Sequence, residues 1–318
     1  MAERKTDRVR IGLLVVLVLW PAPDSIAGMT IRYDPQGVFD FTGTIERVLG
    51  RAESYLKATS AKDVDGNQLS VWKSELAALE YLQPRVQQNS DIELQTAVAV
   101  LAWGVSSQKG QQQMEQIIRA NPSYATGHCL LAIFAMRERD LENYGRHFEE
   151  AIRADPNYLP AYNSLLLYYG HVGKRDSARE LFARGNAQFP KDSSLLYNQG
   201  LNFLNDERWE EAQGSLQQAV SRQPSDQNRL ILGSIQLRRQ QYERAQTAFE
   251  SILKANPKNI FALAGLAETY KERQNFATSI SLMKQAIAIE PTNTDLQDEL
   301  RVHEEAYRKY SRHKRSDP

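Results

Sequence analysis

The sequence predicts an all-α fold, a solenoid of stacked antiparallel helix pairs, and three observations carry that expectation. Prolines recur as a ladder, Pro122, Pro156, Pro190, Pro224, Pro257 and Pro291, at intervals of 34, 34, 34, 33 and 34 residues. Large and small side chains keep fixed places within the same period. The stretches on either side of the ladder carry apolar residues at helical spacing. A self-similar period in the range of about 20–50 residues marks a repeat architecture before any other feature is read.

Each ladder proline ends a helix, because it cannot donate a backbone hydrogen bond and disfavours helix in the residue before it. Twelve residues earlier the side chain is small, at Gly110, Ala178, Ala212, Ala245 and Ser279, with Tyr144 the exception. Eight residues before each proline it is large and apolar: Met114, Phe148, Phe182, Leu216, Phe249 and Met283. A second small place falls at Ala132, Gly200, Gly233 and Ala267, and aromatics at Tyr169, Phe203 and Tyr270. Small residues let two helix backbones cross closely, and the large one fills the gap against the next pair. Polar turns such as Gly173–Asp176 and Asn205–Glu207 separate the two helices of a pair, with Asp or Asn available to cap.

Residues 1–27 read as a secretory signal peptide. Arg4, Lys5, Arg8 and Arg10, diluted by Glu3 and Asp7, precede the apolar run Ile11–Trp20, and small residues lead up to Ala27-Gly28. Ten apolar residues rise only about 15 Å as a helix, too short for a permanent span. An uncleaved anchor or a cytosolic tail are the other readings. Residues 28–90 are expected to hold a non-helical segment (28–41) and a helical hairpin (43–85), on Ile45, Val48, Leu49, Ala52, Leu56 and on Leu69, Trp72, Leu76, Leu79. The array proper spans 91–293. Residues 294–318 form a closing helix that opens on Thr294-x-x-Gln297, similar to a capping box, and a basic tail. That tail is either a solvated end or a minor electrostatic docking site.

The places that share the period resemble the tetratricopeptide pattern W-x2-L-G-x2-Y…A-x3-F…P. Leu232-Gly233 matches its Leu-Gly pair, and Ala178–Phe182 and Ala245–Phe249 match its A-x3-F element, while its Trp is missing throughout. The resemblance covers about six units over 91–293 and implies a right-handed superhelix whose first helices line a concave groove. Carried over unit by unit, the groove places are Cys129, Ile133 and Met136; Asn163 and Leu167; Tyr197, Leu201 and Leu204; Leu230, Ser234 and Leu237; Phe261, Ala264 and Glu268. Ile133, Met136, Asn163, Leu167, Tyr197, Leu201, Leu204, Leu230, Leu237 and Phe261 are the candidate partner-binding residues. Either they form an open apolar groove, or the helices are rotated or packed on an N-terminal arm and these residues are core. Arg229 and Gln236 stand at places expected to be buried and leave the register of the fifth unit insecure.

Composition and motifs narrow the function. Thirty-nine Lys and Arg balance thirty-nine Asp and Glu, so no net charge recruits nucleic acid or anionic membrane. The single cysteine, Cys129, forms no intramolecular disulfide. Among His128, His147, His171, His303 and His313 none stands at metal-ligand spacing from another. The stretch His303-Glu304-Glu305-Ala306-Tyr307 has Tyr where a zinc-protease helix needs its second His. No phosphate loop or nucleophile elbow is present, so the expectation is no catalysis, no metal and no cofactor. The function expected is an exported adaptor holding a helix or extended segment of another protein. The alternatives are a structural homo-oligomer, or a subunit of a pilus or exopolysaccharide export machine.

Overall fold

The structure, a computed structural model, describes residues 25–26, 29–30, 36–58, 75–86 and 89–316. The signal-peptide reading of residues 1–27 and the polar connection around Ser60–Asn67 lie outside the described residues, apart from a two-residue strand at Ser25–Ile26. That strand, β1, pairs antiparallel with β2, Met29–Thr30. Everything else with regular structure among the described residues is helix.

The chain divides into two compact units. In the first lie α1 (Phe41–Ala58), α2 (Glu75–Val86), α3 (Ile92–Val105), α4 (Ser107–Ala120), α5 (Ala125–Arg137), α6 (Leu141–Ala154) and α7 (Leu159–His171). Helices α1 and α2 both pack on α3, and α3/α4 and α5/α6 are antiparallel repeat pairs. Helix α8 (Arg175–Gln188) contains the boundary, after Leu181. The second unit holds the pairs α9 (Ser194–Asn205)/α10 (Trp209–Arg222), α11 (Asp226–Arg238)/α12 (Tyr242–Ala255) and α13 (Ile260–Glu272)/α14 (Phe276–Ile289), closed by α15 (Thr294–Ser316).

The periodic residues form the core. Met114, Phe148, Leu216, Phe249 and Met283 are fully buried, as are Ala212, Ala245 and Ser279 at the small place. A side chain at Gly200 would put its Cβ 2.7 Å from Leu216 Cγ, and one at Gly110 would meet the Trp103 backbone at 2.4 Å. Only hydrogen fits at such crossings. Tyr144, the exception in the ladder, is accommodated by its neighbour: a Cβ on Gly145 would lie 2.2 Å from the Tyr168 ring, which itself packs 5.4 Å from Tyr144. The small residue has moved one place along the chain, so that two tyrosines pack where other units have one alanine.

The turn between the helices of a pair is also periodic. Arg139, Gly173, Glu207, Gln240 and Gln274 all have positive φ, between 57° and 71°. After each, the next residue donates back to a carbonyl five positions earlier, as in Asp140 N–H to Ala135, Arg208 N–H to Phe203 and Asn275 N–H to Tyr270. This is the left-handed helix stop that glycine most easily supplies.

Two sequence expectations about caps are corrected. Helix α10 starts after Arg208 with no side-chain cap, so neither Asn205 nor Asp206 caps it. At α15 the cap is Asn293, one residue before the expected box: its Oδ1 accepts from Asp295 and Leu296 N–H, and Gln297 Nε2 turns back to the Pro291 carbonyl. The amide oxygen of Asn293, one atom further from the main chain than a threonine hydroxyl, reaches the open amides, which leaves Thr294 as the first helical residue.

Candidate functional site: the inner helices and the segment that lies on them

In the first unit, Ile133, Met136 and Asn163 are buried, and Leu167 is half-buried. The Asn163 side-chain amide donates to the carbonyl of Gly37 at 3.2 Å, and the buried Phe39 N–H donates to Ser164 Oγ at 2.9 Å. Two consecutive residues of α7 therefore hold the main chain just ahead of α1.

In the second unit, Tyr197, Leu201 and Leu237 are buried, while Leu204, Leu230 and Phe261 are half-buried. Asn198, wholly buried, takes both main-chain groups of Gln36: the Gln36 N–H donates to its Oδ1 at 3.1 Å, and its Nδ2 donates to the Gln36 carbonyl at 2.7 Å. The Gln36 side chain donates in turn to Gln227 Oε1 (3.2 Å) and to Asn228 Oδ1 (2.8 Å). Gln227 also donates to the Tyr197 hydroxyl at 2.9 Å. Gly37, at φ +62°, makes the turn that follows Gln36.

Six of the ten candidate groove residues, Ile133, Met136, Asn163, Tyr197, Leu201 and Leu237, are thus buried rather than displayed, and of the two readings of the sequence it is the packed one that their burial fits. The physical reason is visible in each unit separately: the inner helices are tightly packed, and a stretch of the chain's own backbone is bonded to them. Gln236 is buried despite its polarity, and Arg229 is half-buried beside Asp226. Sequence reasoning reached Asn163 but missed Ser164, Asn198, Gln227 and Asn228. The available signal was asparagine recurring inside an apolar first helix, at Asn163 and Asn198.

Two clusters of ionisable groups also form, from residues that share no metal-ligand spacing between histidines in the sequence. His128 Nδ1 and His147 Nδ1 stand 3.3 and 3.0 Å from the same oxygen of Glu150, whose other oxygen is bonded by Arg146 at 2.8 Å. Burial, reinforced by Arg146, holds the His147 imidazole below its usual range despite Glu150; burial also lowers His128. In the other cluster, His303 is wholly buried, with Nδ1 at 2.5 Å from Ser279 Oγ and Nε2 at 3.1 Å from Glu268 Oε2 and 3.9 Å from Glu299 Oε2. Ser279, His303 and Glu268 stand in hydrolase-like order, but Ser279 and His303 have no exposed surface from which to meet a substrate. Burial pushes the Cys129 thiol well up, which makes it a core group.

Residues 236–298 match the tetratricopeptide repeat family. That stretch of the chain is thus similar to tetratricopeptide repeats. The fold class is the all-α arrangement of antiparallel helix pairs expected from the sequence. Over 165 residues it is 26% identical to Superkiller protein 3 of Schizosaccharomyces pombe (strain 972 / ATCC 24843), covering 48% of this chain but only 12% of that protein. Among solved structures it resembles yeast Tom70, with a TM-score of 0.54 and 13% identity over 100% of this chain and 73% of Tom70. It also resembles YrrB, described as a TPR protein with an unusual peptide-binding site, with a TM-score of 0.45 and 19% identity over 58% of this chain and 96% of YrrB. Tetratricopeptide repeats are generally non-catalytic scaffolds for protein–protein interaction. No helix among the described residues is long and apolar enough to cross a membrane.

Proposed function

We propose that the protein is a non-catalytic adaptor, exported to the cell envelope or beyond, that holds an extended segment of a partner protein along the inner helices of its repeats. The observation that carries this reading is the grip of Asn198 on Gln36. A side-chain amide bonded to both the N–H and the C=O of one residue recognises an extended main chain and imitates the pairing between neighbouring strands. Such a grip accepts many sequences. Selectivity then falls to neighbours such as Gln227 and Asn228, which here take a glutamine side chain. In the isolated chain the occupant is the protein's own Gln36, and a partner segment competes for the same amide.

The test uses a labelled peptide with the sequence of residues 34–41 and the full chain. Gly37→Val cannot hold φ +62° without a cost of about 1–2 kcal/mol, so it loosens the resident segment. The variant is expected to bind the peptide several-fold more tightly than the wild type, and adding Asn198→Ala is expected to abolish the gain. Equal binding with and without Asn198 removes the proposal. Light scattering decides the self-assembly alternative: a dimer that dissociates in Gly37→Val places a second copy's segment on Asn198.

Export is supported by the basic stretch, apolar run and small-residue exit of residues 1–27. The mature chain is expected to begin at Gly28, and Ala27→Arg to block processing. Mass spectrometry of the native protein with residues 1–27 still attached refutes it.

A further inference from the structure

We infer that Glu268, Glu299 and His303 bind a divalent cation of the zinc class where the closing helix α15 meets α13. Glu299 and His303 are four residues apart on α15 and so share one face, which points at Glu268 on α13. One ligand atom from each lies within 4.8 Å of the other two. Bonds of about 2.0–2.2 Å to a tetrahedral zinc put neighbouring ligand atoms about 3.3–3.6 Å apart. The observed separations, 3.1 Å from His303 Nε2 to Glu268 Oε2 and 3.9 Å to Glu299 Oε2, bracket that value.

The second observation is a pair of buried atoms in a close but poorly aligned contact. His303 Nε2 and Glu268 Oε2 are both sealed from solvent and stand 3.1 Å apart as an ion-pair contact, and neither makes a well-aligned hydrogen bond. His303 Nδ1 is already engaged by Ser279 at 2.5 Å. When that nitrogen carries the proton and donates it to Ser279 Oγ, the bare Nε2 lone pair faces the two carboxylates. A partner on the far ring nitrogen is how protein sites orient a ligating imidazole.

Charge favours a cation here. Lys271 pairs with the outer oxygen of Glu268 at 2.6 Å, which leaves Glu299 with no cationic side chain bonded to it among the described contacts. A dication supplies the missing charge and removes the repulsion between the two acids. The His128–His147–Glu150 cluster is already served by a fixed positive group: Arg146 bonds Glu150 Oε1 and reaches His147 Nε2 at 3.4 Å. Bound at Glu268, Glu299 and His303, the metal would fasten α15 to α13 across Ser279 and fix the end of the second unit.

The experiment takes the untagged full chain stripped with a chelator and titrates zinc chloride by calorimetry, with a parallel thermal melt. One equivalent is expected to bind and to raise the melting temperature. Cobalt is expected to give the visible absorption of a tetrahedral site. Glu299→Gln removes a ligand and a buried charge together, so the variant should fold at least as well as the wild type while binding zinc at least tenfold more weakly. Ser279→Ala, which leaves the three ligands in place, is expected to weaken zinc about 10–100-fold and to keep the cobalt spectrum. The assignment is overturned by an absence of saturable binding, or by a zinc response unchanged in Glu299→Gln. A response that disappears in His147→Gln instead also overturns it.

Discussion

The helix crossings and the inner helix faces of this protein obey the same period but are completed in different ways. At a crossing, such as Gly200 against Leu216, both partners belong to one repeat and lie close in the chain. On the inner face, Asn198 and Asn228 are completed by Gln36, 162 and 192 residues away. A period in sequence states which side chains face the next repeat. It is silent about a non-repeating segment that arrives from elsewhere. That silence is why one stripe of residues could be read either as a groove or as core.

The sharpest way to break this comparison is at Tyr197 and Leu201, since the two readings forecast opposite results. Tyr197 is fully buried and accepts a hydrogen bond from Gln227. Tyr197→Ala is therefore expected to cost about 3–5 kcal/mol, and Leu201→Ser a comparable amount, because each leaves a cavity and the serine adds an unpaired hydroxyl. Urea melts of both variants measure it. Wild-type stability with weakened peptide capture would return these residues to an open groove.

The crossing side of the comparison is tested by Gly200→Trp. The Cβ alone would lie 2.7 Å from Leu216 Cγ, so the helices must part, at a cost of about 3 kcal/mol. Stacked repeats couple only to their neighbours. Hydrogen exchange should therefore speed up in α9 to α12 before it does in α15. A melt that overlays the wild type shows that the second small place is not a crossing.

These two tests divide what was legible in the sequence from what was not. Pro257 with Ala245 and Phe249 states a helix pair outright, because proline, a methyl-sized crossing and a gap-filling ring leave few other solutions. Tyr144 looked like a fault in the ladder until Gly145 showed that the small residue had shifted by one. Thr294 and Asn293 are both good caps, and only backbone geometry chose between them. Asn198, Gln227 and Asn228 were invisible because their partner obeys no period. Glu299 and His303 were hidden for a simpler reason: a zinc-protease pattern extends forward from its first His, whereas the carboxylate neighbour of His303 stands four residues before it.

A smaller effect separates the buried imidazoles of the first unit from the exposed charges around them. His147 faces Glu150, Arg146 and His128, with Arg153 acting on His128, and burial keeps its folded-state affinity for protons below that of the unfolded chain. Between the unfolded value near 6.5 and the lower folded value, the unfolded state binds more protons. Stability contributed by the neutral ring is therefore whole above about pH 6.5 and is lost as pH falls through that window. Glu150, held below its usual range, adds its own loss only at more acid pH. His147→Gln should flatten the slope of stability just below about pH 6.5 and leave the steeper acid limb in place. An unchanged slope assigns the titration to other groups.

The smallest expected effect is a gain, and it sharpens the comparison from the turns. Glu207, Gln240 and Gln274 hold positive φ at the helix stop where Gly173 holds it in its own repeat. An L-residue there carries a steric cost of about 1–2 kcal/mol that glycine avoids, offset in part by the greater entropy glycine loses on folding. Each of Glu207→Gly, Gln240→Gly and Gln274→Gly should therefore raise stability by about 0.5–1 kcal/mol, and Gly173→Ala should lower it by a similar amount. The stops lie far apart along the chain, so the three gains should add, and a triple variant makes the sum measurable in a single melt. If the glycine variants lose stability instead, the side chains at these stops make contacts worth more than the strain. The five turns would then have been tuned one by one, in the manner of the inner faces, and would no longer share the rule that governs the crossings.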